Sequence, residues 1–289
     1  MNVFLCGASI KVHIRGLFGC LKKIILETYE IALSIKTMTK LTDILGYLDT
    51  TLKTKEFKDA SLNGLQVEGS EHVSKVCVSV DSGQTVIDEA VKRKAELLIV
   101  HHGIFWGNSL AVKGAHKKLL QTLLQANVSL YASHIPLDAH PDWGNNFQLA
   151  KLLELSDVIP AIPYNGSLIG CVGTNKKLYS LAQITEKLKT LSGAQEPVVC
   201  AFGPQTPHRI ACMSGSGTDT MYRYVEDGFD TLISGEPKQA AYHFAKDNQL
   251  NIIYGGHYAT ETLGVKAIAV ALEKKFGVVT EFIDHPTGI

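Results

Sequence analysis

Three apolar runs in this chain stop at histidines. Ala95-Glu96-Leu97-Leu98-Ile99-Val100 ends at His101-His102, and Val128-Ser129-Leu130-Tyr131-Ala132 ends at Ser133-His134-Ile135-Pro136-Leu137-Asp138. Leu250-Asn251-Ile252-Ile253-Tyr254 ends at Gly255-Gly256-His257-Tyr258-Ala259-Thr260-Glu261. Short apolar stretches bounded by turn residues predict buried strands. Around them the pattern gives a helix near 40–53, a strand at 75–80, a helix at 84–94 and the strand ending at His101. This alternation is an α/β rhythm, and in such folds strand ends face the crevice where chemistry is done. Thr39 or Thr42 is the predicted cap of the first helix.

The pattern also repeats. The segment from Lys75-Val76-Cys77-Val78-Ser79 to Leu98-Ile99-Val100-His101-His102 matches, without a gap, the segment from Arg209-Ile210-Ala211-Cys212-Met213 to Leu232-Ile233-Ser234-Gly235-Glu236, 134 positions on. The following strands echo at an offset of 123, placing His134-xxx-Asp138 over His257-xxx-Glu261. The pattern predicts two similar, duplicated α/β lobes, about 38–155 and 156–289, around a shared metal cleft. Between them, 156–208 carries scattered Pro and Gly and one helical stretch at 181–188, and reads as the linking part of the second lobe.

Residues 1–37 differ from the rest. Lys11, Arg15, Lys22 and Lys23 come early, no acid precedes Glu27, and no long apolar core is present. The segment is not a membrane span. It reads as a leader of doubtful status: a misassigned start with the functional chain opening at Met38, an extra helix, or a targeting segment.

Composition narrows the function classes. The 289 residues are 45% apolar, enough for one large core or two modest ones. The 28 basic residues balance the 28 acidic ones, so no overall field draws the chain to nucleic acid or an anionic membrane. The six cysteines, Cys6, Cys20, Cys77, Cys171, Cys200 and Cys212, lack CxxC spacing, and Cys77 and Cys212 lie in strand-like runs. They read as reduced core thiols in a cytoplasmic protein.

Four histidines and two carboxylates at strand ends are the donor types of a divalent-metal site. His257 and Glu261, four apart, share a face if the segment after Gly255-Gly256 is helical. His101 and His102 cannot point the same way on an extended strand, so either the strand turns there or each addresses its own ion. Asp138 adds a carboxylate, while His134 suits a ligand, an outer contact or a proton-transfer role. Five ligands are too many for one tetrahedral zinc with an open position and suit two ions bridged by Glu261, a two-metal hydrolytic arrangement. Asp81 ends one strand and Ser214-Gly215-Ser216-Gly217-Thr218-Asp219 follows its echo, so Asp81, Ser214 and Ser216 are candidate substrate contacts. That glycine-serine stretch is an anion cradle or a plain turn. Glu236, at the echo of His102, is a candidate for substrate or outer contact. No Gly-x-Ser-x-Gly elbow is present.

These residues resemble the GTP cyclohydrolase I type 2, or NGG-interacting-factor-like, family of dinuclear-metal proteins. The resemblance rests on Asn63-Gly64-Leu65-Gln66-Val67-Glu68-Gly69, His101-His102-Gly103-Ile104-Phe105-Trp106-Gly107, Ser133-His134-xxx-Leu137-Asp138, Ser234-Gly235-Glu236 and Gly256-His257-Tyr258-Ala259-Thr260-Glu261. It implies metal ligands at His101, His102, Asp138, His257 and Glu261, with Glu261 bridging two divalent ions that the ligand types leave open among Zn, Mn, Fe and Ni. It also implies a ring-shaped homohexamer without the inserted middle domain of longer relatives. The implied activity is hydrolysis at carbon–nitrogen bonds, with water attacking the imidazole ring of GTP or a related compound and His134 or Glu236 moving protons. The competing expectation is a non-catalytic metal-binding regulatory or scaffold ring. A blander one has the histidines only stabilising lobe packing.

Overall fold

Two large twisted sheets, each covered by helices on both faces, and a small two-stranded one organise the described part of the chain, residues 38–289 of a computed structural model. The leader 1–37, Cys6 and Cys20 lie outside the described residues. In the first sheet the strand order is Val279–Phe282, Lys75–Asp81, Leu97–His102, Ser129–Ala132, Gly64–Val67, parallel except for the last. In the second it is Ser156–Tyr164, Ser167–Thr174, Arg209–Met213, Thr231–Ser234, Asn251–Tyr254, Val198–Ala201. There the three strands from Arg209 to Tyr254 are parallel to one another and the flanking ones antiparallel.

The central strands read as unbroken apolar runs because both faces are buried. Leu97 and Ile99 turn toward Leu48, Val265 and Leu272, on the helices Leu41–Leu52 and Thr262–Phe276. Leu98 and Val100 turn the other way, toward Ile87 and Leu123, on the helices Gln84–Lys92 and Gly114–Ala126. In the second sheet Ile210, Cys212 and Ile233 face Leu149 and Ile184, while Ala211 and Leu232 face Ala241 and Ala245. Cys77, Cys171 and Cys212 are buried free thiols, and Cys200 is a half-buried one. Thr39–Ile289 forms one unit.

The echo in sequence is an echo in register. Val76 pairs with Leu97 in the first sheet and Ile210 with Thr231 in the second, each pair 134 positions from its counterpart. At the next strand the register differs slightly from the sequence match. Ile99 pairs with Tyr131 and Ile233 with Ile253, which puts the paired strands 122 apart, whereas the histidines after them are 123 apart. Ser133 alone separates strand from histidine in the first sheet, and Gly255-Gly256 in the second, so one residue is inserted after the strand and the motif is retained. The second departure from simple repetition is Val279–Phe282, which returns to the edge of the first sheet beside Lys75–Asp81.

One predicted detail is overturned. Neither Thr39 nor Thr42 caps the first helix: Lys40 is the N-cap residue, with no side-chain hydrogen bond. Thr39 and Lys40 pair with Val73 and His72, and the Leu41 N–H donates to the Glu71 carbonyl at 2.8 Å. The bend just before a neighbouring strand thus supplies an acceptor for a helix-start N–H. Among the described residues no helix is long and apolar enough to cross a membrane.

Candidate metal centre

The ends of parallel strands in both sheets meet at one cluster. Leu97–His102 carries two histidines at its end, one residue beyond the predicted stop, and its neighbour Ser129–Ala132 leads through Ser133 to His134 and the short helix Ile135–Asp138. From the second sheet, Asn251–Tyr254 leads through Gly255-Gly256 into the helical turn His257–Thr260, and Glu261 follows. His257 and Glu261 do share a face, with Nε2 and Oε2 3.1 Å apart.

All four histidines are anchored at Nδ1 by an oxygen. Nδ1 of His101 donates to the Ser133 carbonyl at 2.9 Å, and that of His102 to Asp81 Oδ1 at 2.8 Å. Nδ1 of His134 donates to both Asp59 oxygens at 3.0 Å, and that of His257 to Glu236 Oε1. An anchored Nδ1–H leaves the Nε2 lone pair of a neutral ring free, the tautomer that metal-binding histidines use. Three of these Nε2 atoms face carboxylates. His101 Nε2 lies 3.6 Å from Asp138 Oδ2 and 3.6 Å from Glu261 Oε1, and His102 Nε2 lies 3.3 Å from Glu261 Oε2. The adjacent histidines thus face the two oxygens of Glu261 separately.

Such a cluster requires positive charge. His101 Nε2 and Glu261 Oε2 are buried without a hydrogen-bond partner, and a lone pair set against a carboxylate needs a proton or a cation between them. With protons alone, burial works against charge on His101, but the Asp138 and Glu261 carboxylates override it and push the imidazole up to about 10. His257 is pushed up to about 9 in the same way, against its burial, by Glu261 and Glu236. Glu261 is held well below the usual carboxylate range despite complete burial, by His101, His102 and His257. A divalent ion would take the place of those protons, and imidazole plus carboxylate oxygen is a donor set that fits one. The donor atoms of His102, His257 and Glu261 lie within 4.8 Å of one another, as do those of His101, His102 and His134.

Backbone shape protects the cluster. Gly215 has φ +58°, and a Cβ there would overlap Glu261 Oε1. The glycine-serine stretch after Met213 thus brings its backbone against the Glu261 carboxylate. Ser214 Oγ donates to Asp138 Oδ1 at 3.3 Å, tying the second sheet to a donor of the first, while Ser216 is exposed. Asp81 and Glu236 are spent on His102 and His257, so they orient imidazoles here; both also line a cleft of about 160 Å³ with Tyr258, Thr287 and Ile289. A larger groove of about 750 Å³, lined by Tyr47, Trp143 and Lys266 among others, contains none of the clustered histidines.

Sequence reasoning missed three supporting residues. Asp59 lies under His134. Asn145 Nδ2 donates to Asp138 Oδ1 at 2.9 Å while its Oδ1 accepts from Gly264 N at 2.8 Å. Asn146 Oδ1 accepts from Ser214 N at 2.7 Å, and its Nδ2 donates to the Ile169 carbonyl at 2.7 Å. The available signal was the Gly144-Asn145-Asn146 helix start shortly after Asp138 and an Asp four residues before Asn63.

The same scaffold recurs in known proteins. A family model described as Duf34/NIF3 (NGG1p interacting factor 3) matches residues 39–287. The chain belongs to the Duf34/NIF3 family. Relatives in it named GTP cyclohydrolase 1 type 2 homolog include one from Pyrococcus horikoshii, 43% identical over 247 residues covering 86% of this chain and 98% of that protein. Another, from Deinococcus radiodurans, is 37% identical over 247 residues, covering 86% and 94%. Among solved structures, TTHA1606 from Thermus thermophilus is 40% identical, covers 87% of this chain and 100% of its own, and superposes with a TM-score of 0.79. The protein ybgI, described as of unknown function, is 33% identical with the same coverage and a TM-score of 0.80.

Proposed function

We propose that this Duf34/NIF3 chain is a divalent-metal-dependent hydrolase acting on carbon–nitrogen bonds of a purine nucleotide, GTP ring opening or a close relative of it. The observation that carries the reading is the buried, unpartnered His101 Nε2 opposite the buried carboxylates of Asp138 and Glu261. On this reading His101, His102, Asp138, His257 and Glu261 hold two ions, of zinc, manganese, iron or nickel. Two such ions supply an activated water near neutral pH and polarise the attacked carbon.

The protein's own part is orientation and proton handling. Ser133, Asp81 and Glu236 fix the ring planes of His101, His102 and His257 through Nδ1. His134 stands beside His101 and His102 with ring centroids 5.1 and 5.7 Å away, near enough to take a proton from the attacking water side and return it to the leaving nitrogen. Glu236, engaged with His257 Nδ1, orients that ring and is the second group of this reading that moves protons. Ser214 and the backbone around Gly215 close the cleft on the second-sheet side. Carried with this reading are the division into lobes at about 38–155 and 156–289, a homohexameric ring and a cytoplasmic location.

The test uses the full chain stripped of metal and reloaded with Mn, Zn, Fe or Ni in turn. Turnover of GTP or another member of a panel of nucleotides and cyclic amides is expected only when loaded, and Glu261→Gln should lower it at least 100-fold. Absence of turnover on the whole panel with every metal would leave a metal-binding scaffold as the better account.

A further inference from the structure

We infer that Asp59 is a positioning residue that holds His134 with Nε2 bare and unmetallated, as a hydrogen-bond acceptor turned to the His101/His102 side of the centre. The inference deepens the hydrolase reading and rests on it for its purpose, though not for its geometry.

His134 differs from the other three histidines in one respect. Nε2 of His101, of His102 and of His257 each lies within 3.6 Å of a carboxylate oxygen of Asp138 or Glu261. Among the described residues, His134 meets a carboxylate only through Nδ1. It belongs to the cluster by position and lacks the anionic co-ligands that make its neighbours a metal-binding set. An imidazole placed this way accepts a proton or a hydrogen bond, provided its tautomer is fixed.

Asp59 is built to fix it. Its side chain is 3% exposed, against 35% for Asp81 and 33% for Glu236. Besides His134 Nδ1, it accepts from Asn63 Nδ2 at 2.8 Å, from Ser61 N at 3.1 Å and from Ile135 N at 3.1 Å. Burial alone would raise its carboxyl, but His134, Asn63 and the Ser61 N–H hold it far below the usual range. Asn63 completes the clamp, its Oδ1 accepting from the His134 backbone N–H at 2.7 Å. Side chain and backbone of His134 are therefore gripped by residues four apart on one loop. Trp106 sets its ring edge-on at 5.0 Å from His134 and, with its N–H donated to Gly103, closes a further side. A carboxylate with four donors accepts the Nδ1 proton and has no conformational freedom to release it, so the ring cannot rotate to the other tautomer without breaking buried bonds.

The experiment is long-range ¹H–¹⁵N correlation of the imidazoles in the full chain, metal-free and zinc-loaded, with His134 assigned from its absence in His134→Gln. The expected pattern is a protonated Nδ1 and a free, unprotonated Nε2 in both states. An Nε2–H tautomer, or an Nε2 shift typical of zinc coordination, would overturn the inference in the native protein without any further variant. Asp59→Asn should then lose the single-tautomer pattern while zinc content stays near the native value, and Asp59→Glu should recover it in part. An unchanged His134 spectrum in Asp59→Asn would equally overturn it. Zinc content separates the two proposals: a native tautomer in a protein that takes up no zinc sinks the metal reading and leaves the Asp59 role standing.

Discussion

At the scale of single residues, the centre is a problem of charge that protonation and metal solve differently. In the metal-free protein His101 and His257 have folded values near 10 and 9, above their ordinary 6.5. A raised folded value stabilises the fold fully below the unfolded value and loses that contribution as pH climbs through the folded one. The metal-free chain should therefore melt progressively lower from about pH 6.5 up to about pH 10, the window between the ordinary imidazole value and the two folded ones. On the acid side Glu261, depressed in the fold, stabilises above its ordinary 4.5 and loses that contribution as pH falls through its folded value. With metal bound the imidazoles are neutral ligands, so the alkaline loss should vanish. Thermal melts of stripped and zinc-loaded protein from pH 5 to pH 10 check this. Parallel alkaline limbs in the two forms would show that the proton and the metal do not compete for the same lone pairs.

Secondary-structure elements bring these residues together, and the helix Asn145–Leu152 is the joint. Its first two residues hold Asp138, Gly264, Ser214 and Ile169, four points from both sheets and from the helix after Glu261. Asn146 is fully buried, and Ser214 and Ile169 are nearly so. Asn146→Ala would strand a backbone donor and a backbone acceptor at about 1–3 kcal/mol each, so a loss of about 2–6 kcal/mol in unfolding free energy is expected. Zinc affinity should fall as well, since Ser214 would no longer be held against Asp138. Denaturant unfolding and a zinc competition titration measure the two, and a change below about 1 kcal/mol would mean the joint lies elsewhere. Much of this scale was legible in the sequence. The strands, the repeat at 134 and the metal-type donors follow from apolar runs ending in histidine, because strands buried on both faces read as short unbroken apolar runs bounded by turn residues. Asn145, Asn146 and Asp59 were not legible, because a buried amide or carboxylate has no periodic signature and its partners lie up to 119 positions away. The helix cap at Thr39 or Thr42 failed for a related reason: the acceptor came from Glu71, just before a strand that no local pattern ties to the helix start.

For the whole molecule, the cluster joins the strand ends of two sheets, beside the polar bonds that Asn145, Asn146 and Ser214 make around Asp138. His101, His102 and Asp138 come from the first sheet, His257 from the end of the second, and Glu261 lies between them against Gly215. A cation held by donors from both would act as a cross-link, stabilising only the state in which the two strand ends are together. Ligand linkage gives about 2.7 kcal/mol at a free metal concentration 100 times the dissociation constant. That increment depends on both halves at once, so removing a donor from either sheet should abolish most of it. His102→Ala and His257→Ala are each expected to lose most of the zinc-induced rise in melting temperature, and the double variant to lose hardly more than either one. Hydrogen exchange should report the same coupling, with zinc slowing exchange at Leu97–His102 and at Asn251–Tyr254 together in the native chain and at neither in the single variants. If each variant lost about half of the increment and protection survived in the untouched sheet, the two sheets would hold independent ions, and the single carboxylate of Glu261 could not be the bridge between them.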